Sequence, residues 1–313
     1  MSRGKIITWS LLGLVVAGYL LGVYWSVEPE RFDVQAVTKA SLAKAGEPDV
    51  EGATLTTTVI HIGDTLLDKP GGFLSNDVLP PSVFLDNMPA WEFGALEMLR
   101  DTTLVMRNEL SRSQSQSSED PDLKEAQPEF NVDRRSWAMP RAEAEYRAAI
   151  KHLLAYRKRL SATGPDKAEF YGRADNLREL LRLVEKRLGS YSQRLAASVG
   201  QESLDEGQKT EITTSWWQLD DVFYEARGYS WALLHVLKAV EVDFGPILKN
   251  KHAMVSLRQI IRDLESTQQT VWSPMILNGS GFGLVANHSL VMANYISRAN
   301  AALVDLQELL DKG

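Results

Sequence analysis

The sequence predicts an all-α protein, with one N-terminal transmembrane helix followed by an exported helical bundle of long, heptad-patterned helices. The first observation is a run of 22 residues without a charge, Ile6 to Val27, which is long enough to cross about 30 Å of hydrocarbon. The second is the recurrence of apolar residues at alternating spacings of three and four, which is typical of packed helices. Alternating apolar segments bounded by turn dipeptides, which would indicate a sheet, do not occur in number.

The N-terminal segment has flanks that favour a retained anchor over a cleaved signal. A secretory signal ends in small residues at its cleavage site, whereas this segment ends with the bulky Tyr24 and Trp25. Residues 1–5 carry two basic side chains, and the acidic Glu28 follows the segment. The positive-inside rule therefore predicts a cytoplasmic tail over residues 1–5, a transmembrane helix over residues 6–27 and a body outside the cytoplasm.

The charge balance limits the partners of this body. Apart from the two basic residues of the tail, 32 basic side chains stand against 41 acidic ones, a net charge of about −9. Nucleic acid is excluded as a partner because phosphate binding needs a basic surface. The chain has no cysteine, which avoids stray oxidation outside the cytoplasm. No cofactor is predicted.

Residues 28–110 form the predicted membrane-proximal helical segment. The apolar residues of its first half have helical spacing, although the β-branched run Thr56–Ile60 leaves a strand open as an alternative. A second helix is predicted from Trp91 to Leu110, opened by Pro89. Between them, residues 71–81 mix turn formers with large apolar side chains, so we expect this loop to pack against the body.

A polar stretch then divides the body. Residues 111–118 contain no apolar side chain, and Glu119-Asp120-Pro121-Asp122 follows. The composition predicts an exposed linker or loop over residues 111–129. Beyond it, residues 130–313 form the predicted C-terminal helical bundle.

Two heptad seams dominate this bundle. One helix is predicted over Asp166–Val199, with Asp166 as its N-cap, and the other lies between Trp216 and Phe244. We expect the two to pack antiparallel at about 20°. The first seam consists of Phe170, Ala174, Leu177, Leu181, Val184, Leu188, Tyr191 and Leu195, and the second of Trp216, Leu219, Phe223, Ala226, Ser230, Leu233, Leu237, Val240 and Phe244.

Three shorter helices complete the predicted bundle. One begins near Pro140 and ends before Gly164-Pro165. Another contains Leu257, Ile260, Ile261 and Leu264, and the last runs from about residue 284 to residue 310.

Four runs of sequence resemble the bacterial proteins grouped as domain of unknown function 2333. They are Leu66–Pro81, Leu85–Pro89, Ser111–Ser118 and Leu277–Gly283. The resemblance covers nearly the whole chain. It implies a single-span protein of the inner membrane of Gram-negative bacteria, and it supplies no activity and no catalytic residues. With the orientation that the flanking charges predict, the N-terminus is cytoplasmic and the bulk of the chain periplasmic.

A glycine-rich loop before the last helix is the candidate binding site. Backbone amides at a helix start, unobstructed by side chains, hold phosphate or carboxylate groups. The loop lacks the lysine of a P-loop, and a tight turn between packed helices is the competing interpretation. The candidate ligand-binding residues are Asn278, Gly279, Ser280, Gly281, Gly283, Asn287 and His288.

No set of residues predicts catalysis or a metal site. The five histidines are scattered without metal-ligand spacing, and Gly-x-Ser-x-Gly is absent. Tryptophans crowd the second seam helix, where we expect core packing, with an exposed Trp217 or Trp231 as the exception of interest. Two hypotheses remain: a non-catalytic envelope protein that binds a protein partner or itself, and a periplasmic enzyme or ligand-binding domain built around Asn278–Gly283.

Overall fold

The computed structural model describes residues 3–113, 118–197, 201–202, 211–212, 216–271, 276 and 288–312. The predicted all-α class is confirmed, because these residues hold eleven α-helices and, as strands, only an antiparallel pair of two residues each, β1 Gln201–Glu202 and β2 Glu211–Ile212. The helices in chain order are α1 Arg3–Trp25, α2 Val34–Ala45, α3 Ala53–Asp68, α4 Asn87–Val105, α5 Pro121–Phe130, α6 Ala142–Leu160, α7 Ala174–Ala196, α8 Trp216–Asp243, α9 Gly245–Asn250, α10 Met254–Thr267 and α11 His288–Asp311.

The predicted N-terminal span forms one continuous helix, α1. Its most apolar window has a mean hydropathy of 2.1 and is long enough to cross a membrane. Within α1, Gly22 is the one buried residue, so nearly the whole helix stands free of the body. Anchors and signal sequences share this length and composition, and the retention of α1 in a membrane therefore stays a prediction.

The body is built around α8, whose most extensive partner is α4, with α3 and α10 on its other faces. Helices α4 and α8 approach so closely that their backbones are in contact. A Cβ atom on Gly228 would lie 1.9 Å from the carbonyl oxygen of Trp91, and one on Gly94 would lie 1.9 Å from that of Glu225. Only glycine fits at these positions. The sequence predicted that the two seam helices, α7 and α8, pack mainly on each other. That prediction is wrong, because α7 packs chiefly on α11 and only slightly on α8.

The seam of α7 is buried as predicted from Leu177 to Leu195, but its helix starts at Ala174 and not at Asp166. The amide of Tyr171 donates to the carbonyl of Leu110 at 2.7 Å, which ties the preceding segment to another part of the chain. Phe170 therefore lies outside the helix.

The β-branched run Thr56–Ile60 is helical, within α3. The buried hydroxyls of Thr56 and Thr58 donate to the carbonyls four residues earlier, at 2.7 and 2.8 Å, so neither polar group is left without a partner. The first turn of α3 has no local side-chain cap. Asp243 of α8 replaces it by accepting a hydrogen bond from the amide of Leu55 at 2.7 Å.

The predicted linker over residues 111–129 contains a helix, so that interpretation needs correction. Helix α5 begins after Asp120, whose carboxylate caps it by accepting from the amides of Asp122 and Leu123. Its apolar side chains are buried and pack against α6. Composition alone indicated a loop because this stretch has few apolar residues. Those few lie on one face of α5, which is enough to bury it. One buried cluster contains side chains from both sides of the stretch.

Candidate functional site

The predicted ligand site falls almost entirely outside the described residues. Asn278, Gly279, Ser280, Gly281, Gly283 and Asn287 are not among them. His288 is described as the half-buried first residue of α11, and the neighbouring Ser289 hydroxyl donates to the carbonyl of Leu195 at 2.9 Å. Ligand binding at this loop stays a prediction.

The structure directs attention instead to the junction where α1 enters the body. The connecting residues 28–32 lie along α8 and are bound by three of its side chains, Arg227, Trp231 and His235. These side chains recur every fourth residue and so lie on one face of the helix. We call this arrangement the junction clamp.

Arg227 makes the strongest contacts of the clamp. It is 5% exposed, and its Nε lies 2.8 and 2.7 Å from the two carboxylate oxygens of Glu28. Its Nη1 donates to the carbonyls of Thr267 and Gln269, at 3.0 and 2.7 Å. A buried guanidinium with charged and neutral acceptors of this kind holds its partners in one geometry. It thereby joins the exit of α1 to both α8 and the end of α10.

His235 binds the connection four residues after Glu28. Its Nε2 accepts a hydrogen bond from the Phe32 amide at 3.1 Å, and its Nδ1 lies 2.7 Å from the Trp231 carbonyl. These partners require a neutral ring with the proton on Nδ1. The Phe32 ring stacks on His235, with centroids 3.8 Å apart, and meets His61 edge-on. Burial lowers the pKa of His235 to about 3, so the ring stays neutral near neutral pH.

A second contact fixes the loop after α3. The buried carboxylate of Glu92 on α4 pairs with the buried ammonium of Lys69. It also accepts from the amides of Leu74 and Ser75, each at 2.8 Å, and from the Ser75 hydroxyl at 2.6 Å. One side chain thus organises the loop of residues 69–75 from inside, as expected for a fully satisfied buried charge.

This loop region in turn touches the end of α1. A Cβ atom on Gly71, whose φ is +86°, would lie 2.8 Å from the Trp25 ring. One on Gly22 would lie 3.7 Å from Pro81 and 3.6 Å from Leu85. The last turn of α1 is therefore held from one side by the connection to α8 and from another by the loop.

One comparison with protein families identifies the chain. A family model described as "Uncharacterized protein conserved in bacteria (DUF2333)" matches residues 2–313. The chain belongs to the DUF2333 family. No curated protein and no solved structure matches it.

In this DUF2333 protein, two of the runs that carry the resemblance meet at the junction. Leu66–Pro81 contains the loop bound by Glu92, and Leu85–Pro89 contains the Gly22 contact and the start of α4. The family description assigns no chemistry to them, and the structure places both beside the last turn of α1.

A cleft of about 1370 Å³ lies beside the junction clamp, between the connection and the α8 and α10 surface. This volume exceeds the roughly 300–1,000 Å³ typical of small-molecule pockets. Lys238 and Arg31 both approach the Glu265 carboxylate, at 2.8 and 3.8 Å, so the wall carries both signs of charge. Its size and its mixture of charged and apolar lining residues both distinguish it from a typical small-molecule pocket, which is mostly apolar.

Two described carboxylates of the DUF2333 chain tie α4 to α7. Glu97 and Asp101 lie on one face of α4, and Arg187 of α7 contacts both, at 2.6 and 3.0 Å. Burial raises the pKa of Asp101, and the Arg187 contact opposes the rise. Among the residues that the structure describes, no group of three or more metal-ligating side chains comes together.

Trp231 is buried and packs against Trp91, with ring centroids 5.1 Å apart. The expectation of core packing is therefore confirmed for Trp231, which is not an exposed tryptophan. The pairing of residues 28–32 with α8 was missed. Its one signal in the sequence is the spacing of Arg227, Trp231 and His235, which recur at every fourth position and so share one face of the helix.

Proposed function

We propose that this DUF2333 protein is a non-catalytic component of the bacterial envelope. In this proposal α1 stays in the inner membrane, residues 1–5 are cytoplasmic and the bulk of the chain is periplasmic. The helical body binds another envelope protein, or a second copy of itself, through the cleft beside the junction clamp.

The junction clamp carries the proposal. A tethered enzyme needs only proximity to the membrane, which a flexible linker provides. Here a buried arginine, a buried histidine and a tryptophan fix the connection to α8. Such contacts are costly to desolvate, and they are useful where the orientation of the body relative to the membrane matters. Presenting one face to a membrane-bound partner is such a case.

Photocrosslinking in intact cells tests the proposal. A photoreactive benzoylphenylalanine replaces Arg31, which lines the cleft and whose side chain is half exposed. We expect a discrete adduct of higher mass from this position. The same replacement at Val255, an exposed residue of α10, should give no such adduct.

Two further variants separate the clamp from folding. Arg227→Met should release residues 28–32 and strongly reduce the adduct, while Arg182→Met, which breaks an exposed pair with Glu179 on α7, should leave it unchanged. Protease resistance confirms that each chain is folded. The absence of an adduct from a folded chain, or equal yields from both arginine variants, would overturn the proposal.

A further inference from the structure

The exposed apolar side chains of the body are concentrated next to α1. Beyond Val27, the described residues expose ten large apolar side chains, and six of them lie in two short segments, residues 78–84 and 137–139. Such clustering marks an interaction surface, whereas single exposed apolar residues are ordinary. The six are Val78, Leu79, Val83, Phe84, Trp137 and Met139.

The two segments form one surface. Val78, Leu79 and Trp137 line a common hollow together with Trp25 of α1. The Asn76 side chain donates to the carbonyl of Ser136 at 2.9 Å, which joins the segments just behind their apolar tips. We call these six side chains the apolar collar.

The collar lies at a depth that α1 sets. Pro81 and Leu85, within and next to the first segment, lie beside Gly22, at 3.7 and 3.6 Å from where a Cβ atom on that glycine would be. Since α1 continues to Trp25, Gly22 lies about one helical turn inside the end of the helix. It also precedes Glu28, the first charge after the span, by six residues. Side chains at the level of Gly22 therefore reach the membrane boundary when α1 spans the bilayer.

Hydrogen bonds and an ion pair hold the first segment of the collar in place. The loop before it is bound by Glu92 and Lys69, and the Ser82 hydroxyl donates to the carbonyl of Leu79 at 2.7 Å. A short 3-10 helix, Ser82–Phe84, supports its tip. A pre-formed apolar surface loses little conformational entropy when it is buried.

We propose that the apolar collar inserts into the lipid of the leaflet that faces the body, beside α1. This inference rests on the proposed retention of α1 in the membrane. Tryptophan, phenylalanine and leucine at the headgroup and acyl boundary are the usual chemistry of interfacial anchoring. Because the body is acidic overall, apolar burial drives the insertion and attraction to anionic lipid does not.

Spin labels in the full-length chain test the collar, since the protein has no cysteine of its own. Leu79→Cys and Phe84→Cys place labels on side chains that are 72% and 77% exposed, so neither change disturbs the core. The protein is reconstituted into vesicles of phosphatidylcholine and phosphatidylglycerol. Collisions with oxygen and with a water-soluble nickel complex then report the depth of each label.

Two control positions make the outcomes distinct. Leu14→Cys lies in the middle of α1. Val255→Cys is an exposed apolar position near Arg258, which binds Glu241 on α8. Glu241 is fourteen residues, about 21 Å of helix, beyond Arg227, so Val255 lies at the end of the body away from the junction.

We expect labels at positions 79 and 84 to lie about 5–10 Å inside the boundary, at the same depth in low and high salt, with position 14 in lipid and position 255 in water. Water exposure at 79 and 84 with position 14 in lipid would overturn the collar and leave the anchor standing. Dipolar broadening between copies without lipid contact would also overturn it, because it would show a protein interface. A label at position 14 outside lipid would overturn the anchor and the collar together.

Discussion

Arg227, Trp231 and His235 show how single side chains decide the geometry of the junction. Each is buried, and each finds its partner in residues 28–32. The Phe32 amide has no helical partner, because it lies just before α2, and the neutral ring of His235 accepts its hydrogen bond. A protonated ring would have a donor at that position, so charge on His235 opposes the native contact.

Stability should therefore depend on pH through His235. The pKa of this histidine falls from 6.5 to about 3 on folding, because of burial. The unfolded chain binds the proton first, so the contribution of His235 to stability is complete above pH 6.5 and is lost as the pH falls towards 3. Between pH 7.5 and pH 5 the loss amounts to about 2 kcal/mol.

His235→Gln does not titrate and keeps an acceptor for the Phe32 amide. Its free energy of unfolding should fall by about 2 kcal/mol less than that of the parent between pH 7.5 and pH 5, measured by urea denaturation of the full-length protein in micelles. Asp243, whose pKa burial raises to about 7, acts in the opposite direction in both proteins and cancels in the comparison. His252→Gln, at an exposed turn, is the control. Equal pH slopes in parent and His235→Gln would contradict the role assigned to the ring.

At the scale of elements, the α4 and α8 pair depends on close backbone approach. Heptad seams on α7 and α8 indicate that both helices are packed, but they do not select the partner. Gly94 and Gly228 do so, because each removes the Cβ atom that would collide with the facing backbone. Replacing either glycine by alanine should lower the free energy of unfolding, although alanine has the higher helix propensity.

Gly228→Ala should lower the free energy of unfolding by about 3 kcal/mol, because the added methyl group would overlap the Trp91 carbonyl and force the helices apart. Gly189→Ala on α7 is the matched control, since the nearest atom to its Cβ would be 3.7 Å away. That change should be neutral or stabilising by up to about 1 kcal/mol, from helix propensity. Urea denaturation compares the two, and a similar small effect in both would show that the crossing is less tight than described.

The whole molecule combines one long apolar helix with an acidic body that has a common buried cluster. Residues on both sides of the predicted linker contribute to that cluster. The junction clamp and the loop of residues 69–75, which Glu92 binds, connect this body to α1 at several points. The end of α1 is therefore fixed against α8 and against the loop that α4 binds.

The proposed topology predicts where the carboxyl end lies. Alkaline phosphatase fused after residue 313 should be active, because this enzyme matures only outside the reducing cytoplasm. The same fusion without residues 1–27 should be inactive. Mass spectrometry of the mature protein should still find residues 1–27, since bulky Tyr24 and Trp25 do not suit signal cleavage. An inactive full-length fusion, or a product that begins after Trp25, would contradict the topology.

The sequence by itself determined the helical class, the single apolar helix and most buried seam positions. These features are local, since charge-free length and three-four periodicity are properties of one segment. The predicted start of a helix at Asp166 was wrong, because the amide of Tyr171 binds the carbonyl of Leu110 and the helix begins only at Ala174. The helix α5 was missed, because its short apolar face lies within a polar stretch.

Only the tertiary structure decided which helices pair, that residues 28–32 lie along α8, and that the apolar collar stands beside Gly22. Each of these depends on contacts between residues far apart in the chain, such as the pair of Glu28 and Arg227. Spacing within one helix carries no information about such partners, because geometry between elements is set by shape and charge at their faces.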